Sequence, residues 1–149
     1  MKNIKSIVDT EGKEITNEEL VSYAVEARKT SYSPYSEYAV GAALLCRDGM
    51  IYLGCNVENA AFSPTNCAER GAFFSAIANG EREFSKIAVV GGRHGDELRE
   101  ATFPCGVCRQ VMAELCSSDF EIVLLERGKV VSYTLGELLP RCFSDKNLG

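Results

Sequence analysis

Two cysteines three residues apart follow directly on a proline in the run Pro104-Cys105-Gly106-Val107-Cys108-Arg109-Gln110. Proline is favoured in the first turn of a helix, where its missing N–H is not needed. Residues at i and i+3 share a helix face, so the spacing predicts two sulfurs aimed at one point. A helix N-terminus lowers the pKa of a cysteine, and the thiolate is the form that binds metal. A third cysteine stands upstream in Asn66-Cys67-Ala68-Glu69-Arg70, after Ser63-Pro64-Thr65, again at an expected helix start. Three thiolates and one open position describe a four-coordinate zinc of the catalytic type; a structural zinc would take a fourth protein ligand.

The neighbours of Cys67 fit the same chemistry. Side chains lean toward the N-terminus of a helix, so Glu69 can reach around the end toward the sulfurs. A carboxylate there can take a proton from water and return it to a leaving group. Without the cysteines, Glu69 would read simply as a complement to the helix dipole. Arg70, three residues from Cys67, either draws charge off the thiolates or is a solvated helix residue. Asn56-Val57-Glu58-Asn59 sets an amide and a carboxylate at the end of an expected strand. Such a pair suits a sugar hydroxyl, which both donates and accepts, although Asn and Glu in a loop also make ordinary turns. Tyr38 reads as a wall for a flat base or as a core aromatic. The single histidine, His94, reads as an exposed loop residue, and Gly91-Gly92 as a turn without a phosphate-loop pattern.

Those residues need a scaffold, and 149 residues with 46% hydrophobic and 25% charged content describe one globular domain, 1–149. Residues 1–14 are polar and read as a flexible arm. Thr16 and Glu19 form a capping-box pattern opening a helix to about residue 29. Apolar runs at 38–46 and 51–57 flank Asp48-Gly49 and predict a hairpin. Helices are expected over 66–79, 105–116 and 135–139, and short strands at 87–90, 122–125 and 130–133. The order α-β-β-α-β-α-β-β-α predicts a mixed sheet with helices on its faces and parallel pairing across the helical crossovers. Ligands in such sheets bind beyond the strand C-termini, where both cysteine motifs begin helices. Cys67 should therefore meet Cys105 and Cys108.

The net charge of −5 argues against a nucleic-acid partner, which would draw a basic face. No run approaches membrane-spanning length, and no signal-peptide core follows Met1, so a cytoplasmic location is expected. There the seven cysteines would stay reduced; Cys46, Cys55, Cys116 and Cys142 read as small buried hydrophobes.

The chain resembles the small, tetrameric, zinc-dependent type of cytidine deaminase from Glu18 to Leu148. The likeness rests on Tyr35-Ser36, Val40-Gly41-Ala42-Ala43, Gly54-Cys55-Asn56-Val57-Glu58-Asn59-Ala60, Cys67-Ala68-Glu69-Arg70, residues 104–110 and Glu137-Leu138-Leu139-Pro140. Cys or His followed by x-Glu, with a distant Pro-Cys-x-x-Cys, is the signature of zinc deaminases. The resemblance implies a three-layer α/β/α domain with a mixed five-stranded sheet, Zn2+ on Cys67, Cys105 and Cys108, and Glu69 as proton shuttle. It implies that Asn56 and Glu58 hold the ribose 3′-hydroxyl, that backbone at Cys67 and Ala68 reads the pyrimidine, and that Tyr38 packs on the base. Phe143 would enter a neighbouring subunit's pocket, implying a homotetramer. The expected reaction is deamination of a small pyrimidine nucleoside, cytidine or 2′-deoxycytidine, with release of ammonia.

The sequence departs from the family pattern at Gly71, where threonine or serine is usual, at Tyr38, where phenylalanine is usual, at Phe103, and in a longer loop over 93–103. Two other readings remain beside this one. Blasticidin deaminases share both cysteine motifs but lack the Asn-x-Glu-Asn stretch. A non-catalytic zinc module would want a fourth protein ligand and a basic surface.

Overall fold

The computed structural model describes residues 5–149. In chain order its elements are β1 (Ile7–Asp9), α1 (Asn17–Arg28), β2 (Tyr38–Cys46), β3 (Met50–Cys55), α2 (Ala68–Ala78), β4 (Phe84–Arg93), α3 (Gly106–Leu115), β5 (Glu121–Glu126), β6 (Lys129–Thr134) and α4 (Leu135–Leu138), followed by a single 3-10 turn. They form one six-stranded sheet in the order β1-β3-β2-β4-β5-β6. The pairing is mixed: β2 runs antiparallel to both β3 and β4, and β4 is parallel to β5. Parallel pairing across a helical crossover thus holds for β4-α3-β5. The strands joined by α2 are separated by β2.

The sheet has six strands, not the expected five, because part of the presumed arm is a strand. Ile7, Val8 and Asp9 pair with Tyr52, Ile51 and Met50 and cover the exposed edge of β3. Three residues are too few to show alternation in a sequence, so edge pairing was not legible there. The rest of that expectation, over residues 1–4, lies outside the described residues.

Alternation along the strands divides the core into two layers. Ala42, Leu44, Ile87, Val89, Ile122 and Leu124 face α2 and α3, where Phe73 and Met112 are fully buried. Ala43, Ile51, Ala88, Val90 and Val123 face α1 through Leu20, Ala24 and Ala27. The expected three-layer α/β/α arrangement is present. Among the described residues no helix is long and apolar enough to cross a membrane.

Two glycines bring helices onto the sheet at backbone distance. A Cβ on Gly41 would lie 2.1 Å from the Ala24 carbonyl oxygen of α1. On the other face, a Cβ on Gly54 would lie 2.2 Å from the Ala68 carbonyl oxygen and 2.6 Å from the Ala72 nitrogen of α2. The first turn of α2 therefore rests directly on the end of β3. Gly54→Ala should cost at least about 1–3 kcal/mol by overpacking and displace that turn. Gly106→Ala, with nothing within 4 Å of its Cβ, should leave the urea midpoint nearly unchanged. Equal midpoints for the two variants would contradict this packing.

Candidate active site and metal centre

Both cysteine motifs begin helices, one residue or two inside the expected bounds. Cys67 is the N-cap of α2 and Cys105 the N-cap of α3, each with extended backbone. Asn66 lies outside α2 because its backbone bridges Val57 instead, with N–H···O distances of 3.0 Å in both directions. That bridge closes the 58–65 loop and carries the chain from the end of β3 to Cys67. Pro104 precedes the cap of α3, so it is not the first helical residue. Neither cysteine side chain caps its helix, so both sulfurs are free to turn toward each other.

Cys67, Cys105 and Cys108 converge, with all three sulfurs within 4.8 Å of one another and Cys67 Sγ 3.8 Å from Cys105 Sγ. Tetrahedral zinc with Zn–S bonds of about 2.3 Å sets its sulfurs about 3.8 Å apart. The donor set therefore fits a thiolate-bound zinc. Arg70 Nη2 donates to Cys67 Sγ at 3.3 Å, the contact that the first of its two sequence readings requires. Its Nε is buried without a partner. Cys67 is held down to about 5, first by the hydrogen bond from Cys108 and then by those of Arg70 and Cys105, against its burial. Cys108 is pushed well above the ordinary thiol range, because it keeps its proton for Cys67 and is itself buried. A metal ion would displace that shared proton.

Glu69 lies in the first turn of α2 and is 3% exposed. Burial raises its pKa, with the adjacent Cys108 thiol opposing the shift. A buried carboxyl beside a metal-type cluster is the environment of a general acid–base group. Ala68 is fully buried beside it.

The Asn56–Glu58 stretch joins this site through backbone pairing with Tyr32 and Asn66. Asn56 is largely engaged already. Its Oδ1 accepts from the Val40 N–H at 2.9 Å and from the Ser31 hydroxyl, and its Nδ2 donates to the Tyr38 carbonyl at 2.8 Å. One amide N–H remains for a ligand. Glu58 accepts from the N–H groups of Tyr35 and Ser36 at 3.0 and 3.1 Å and from the Ser36 hydroxyl at 2.5 Å. The Ser36 hydroxyl does most to hold its carboxyl below the usual range. A cavity of about 360 Å³ opens beside it, lined by Tyr35, Ser36, Glu58, Asn59, Phe62 and Thr65.

Tyr38 is half-buried, and its hydroxyl lies 2.7 Å from Thr102 Oγ1, which anchors the 93–103 loop. His94 is exposed as expected, yet its ring bonds the buried Ser33 hydroxyl at 2.9 Å. Phe143 is 60% exposed, its carbonyl held by Gln110 Nε2 at 2.9 Å. Of the four cysteines read as buried hydrophobes, Cys46 alone is fully buried; Cys55, Cys116 and Cys142 are partly exposed.

Several contributors had no signal of their own in the sequence. Ser31 stands in no pattern, and Ser36 entered only within the Tyr35-Ser36 pair of the family likeness. Arg28 Nε donates to the Ala39 carbonyl at 2.9 Å and its Nη2 to the Gly92 carbonyl at 2.8 Å, joining β2 to β4. Arg109 donates to the Pro104 and Leu138 carbonyls, both at 2.7 Å, and so fixes the Cys105 turn to α4. Only the fold tells such an arginine from a solvated one.

Fold and site together define an α/β/α domain with a cluster of three cysteine sulfurs, suited to a metal, beside a buried carboxylate. Residues 14–124 match the family described as the cytidine and deoxycytidylate deaminase zinc-binding region, and the chain belongs to that family. A cytidine deaminase from Sporosarcina psychrophila is 46% identical over 132 residues, covering 88% of this chain and 93% of that one. Another, from Halalkalibacterium halodurans, is 44% identical over 130 residues, covering 87% and 95%. The crystal structure of cytidine deaminase from Burkholderia pseudomallei has a TM-score of 0.79 and 48% identity, covering 87% of this chain and 100% of that one.

Groups that orient a metal ligand typically set about 10–100-fold of metal affinity. Arg70→Gln should accordingly weaken zinc binding about 10–100-fold in chelator competition. An unchanged affinity would make Arg70 a bystander.

Proposed function

We propose that this protein is an aminohydrolase that converts cytidine and 2′-deoxycytidine to uridine and 2′-deoxyuridine, with water consumed and ammonia released. The observation that carries the reading is the convergence of three cysteine sulfurs from two helix N-termini on the buried Glu69. Zinc, held by Cys67, Cys105 and Cys108, supplies when bound a Lewis acid that makes water acidic enough to attack at neutral pH. Three thiolates weaken that acidity, and the hydrogen bond from Arg70 to Cys67 draws charge off them.

Glu69 takes the proton of the attacking water and passes it to the pyrimidine ring nitrogen. It then assists protonation of the amino group, which leaves as ammonia. Burial suits it to this work, since a raised pKa lets one carboxylate both accept and return a proton. Glu58 is ionised and acceptor-only, so it takes a hydrogen bond from a ribose hydroxyl while the free N–H of Asn56 donates to one. Backbone at Cys67 and Ala68 reads the base, and Tyr38 is its wall, held upright by Thr102.

The assembly in this reading is a homotetramer in the cytoplasm, acting on free nucleosides and not on nucleic acid or membranes. Phe143 extends from its own chain, and Phe62, Phe74 and Val107 add exposed apolar surface for contacts between copies.

Turnover on cytidine, 2′-deoxycytidine, cytosine and blasticidin S tests the substrate class. Both nucleosides should release ammonia; activity confined to blasticidin S, or none at all, would overturn it. Glu69→Gln should keep zinc and nucleoside binding while kcat falls by at least about 10²–10⁴-fold. Near-normal kcat with zinc in place would remove Glu69 from the mechanism. Phe143→Ala should raise KM in a protein that still sediments as a tetramer, and an active monomer would exclude a shared pocket.

A further inference from the structure

A second set of metal-type ligands gathers on the same sheet, where the β2–β3 turn meets the chain leaving α2. Cys46 ends β2, Asp48 lies in the turn that follows, and Glu81 comes directly after Gly80, just beyond α2. Cys46 Sγ and one carboxylate oxygen each from Asp48 and Glu81 lie within 4.8 Å of one another. None of these residues belongs to the deaminase site.

Unmet polar groups collect at the same place. Glu81 Oε2 is buried with no hydrogen-bond partner. Thr10 is only 9% exposed, and its Oγ1 is likewise unpartnered, facing the turn at Gly49, next to Asp48. Among the described residues the one other orphan of this kind is Arg70 Nε, at the thiolate cluster. Cys46 and Tyr52 are 2% and 3% exposed, and both turn their polar atoms toward Glu81.

No positive charge answers the two carboxylates. Among the described residues neither Asp48 nor Glu81 is in an ion pair. The nearby Arg82 is turned away, its Nη1 donating to the Ile77 and Glu81 carbonyls at 3.0 and 2.8 Å. Lys86 is taken by Asn17 and Glu121. Glu81 and the exposed Asp48 sit side by side next to a buried thiol with one Glu81 oxygen unpartnered, a repulsion that a shared proton or a cation relieves.

We propose that Cys46, Asp48 and Glu81 form a second zinc site, which pins the β2–β3 turn to the end of α2. One thiolate and two carboxylates are zinc ligands, and a single soft donor among oxygens favours zinc over magnesium or calcium. The fourth position falls to water, which reaches the site at the exposed Asp48. The Thr10 hydroxyl supplies that water with a hydrogen-bond partner. The site is structural and works at a distance from the nucleoside.

The test is zinc content per chain after stripping with chelator, reloading with excess zinc and desalting the full-length protein. Wild type should hold about two equivalents. Glu81→Gln and Asp48→Asn, which keep all seven cysteines, should each hold about one, with cytidine turnover unchanged. Cys105→Ala should also hold about one, and Cys105→Ala with Glu81→Gln none, which separates this site from the first. One equivalent in wild type would overturn the proposal. So would two equivalents retained in both carboxylate variants, since that marks adventitious thiol binding.

Discussion

Three sulfurs and a carboxylate crowded together, with Cys108 and Glu69 buried and Cys105 exposed, repel each other as soon as more than one of them ionises. The structure answers that repulsion with positive ends of helices. Cys67 and Cys105 each occupy the cap of a helix whose first N–H groups are unpaired, and Cys108 and Glu69 follow within the first turns. Arg70 adds a full charge against the most acidic thiol. The site is thus an anion-stabilising junction in its own right, and a bound cation would complete a charge balance that the backbone has begun.

That junction needs two helices to end at the same point, and the mixed sheet supplies the geometry. α2 leaves after β3 and α3 after β4; these strands run in the same direction with β2 between them. The helices therefore start at the same end of the sheet and on the same face. The bridge between Val57 and Asn66 and the latch from Arg109 to Leu138 then bind the two starting turns to their surroundings.

Much of this was legible in the sequence because its signals are local. A capping threonine at Thr16 and Asp48-Gly49 between apolar runs each act within a few residues and are where they were expected, and Pro104 marks the start of α3 from one residue before its cap. What was not legible depends on distant partners. β1 exists only because β3 offers an edge. Asn56 read as a ligand group, and its hydrogen bonds to Ser31, Val40 and Tyr38, which lie 16 to 25 residues before it, also make it a clamp. Cys46 looked like a small apolar residue, and only the return of the chain after α2 sets Glu81 beside it and beside Asp48.

The contacts at Gly41 and Gly54 bear on how the site ages under mutation. Most helix–sheet spacings follow the bulk of the side chains between them and drift as those side chains are exchanged. Here peptide units touch peptide units on both faces of neighbouring strands, at positions one residue apart in register. The separation of α2 from the sheet is set by atoms that no other substitution can resize. The outer core is therefore free to change its composition over time while Cys67 and Glu69 keep their height above the strands.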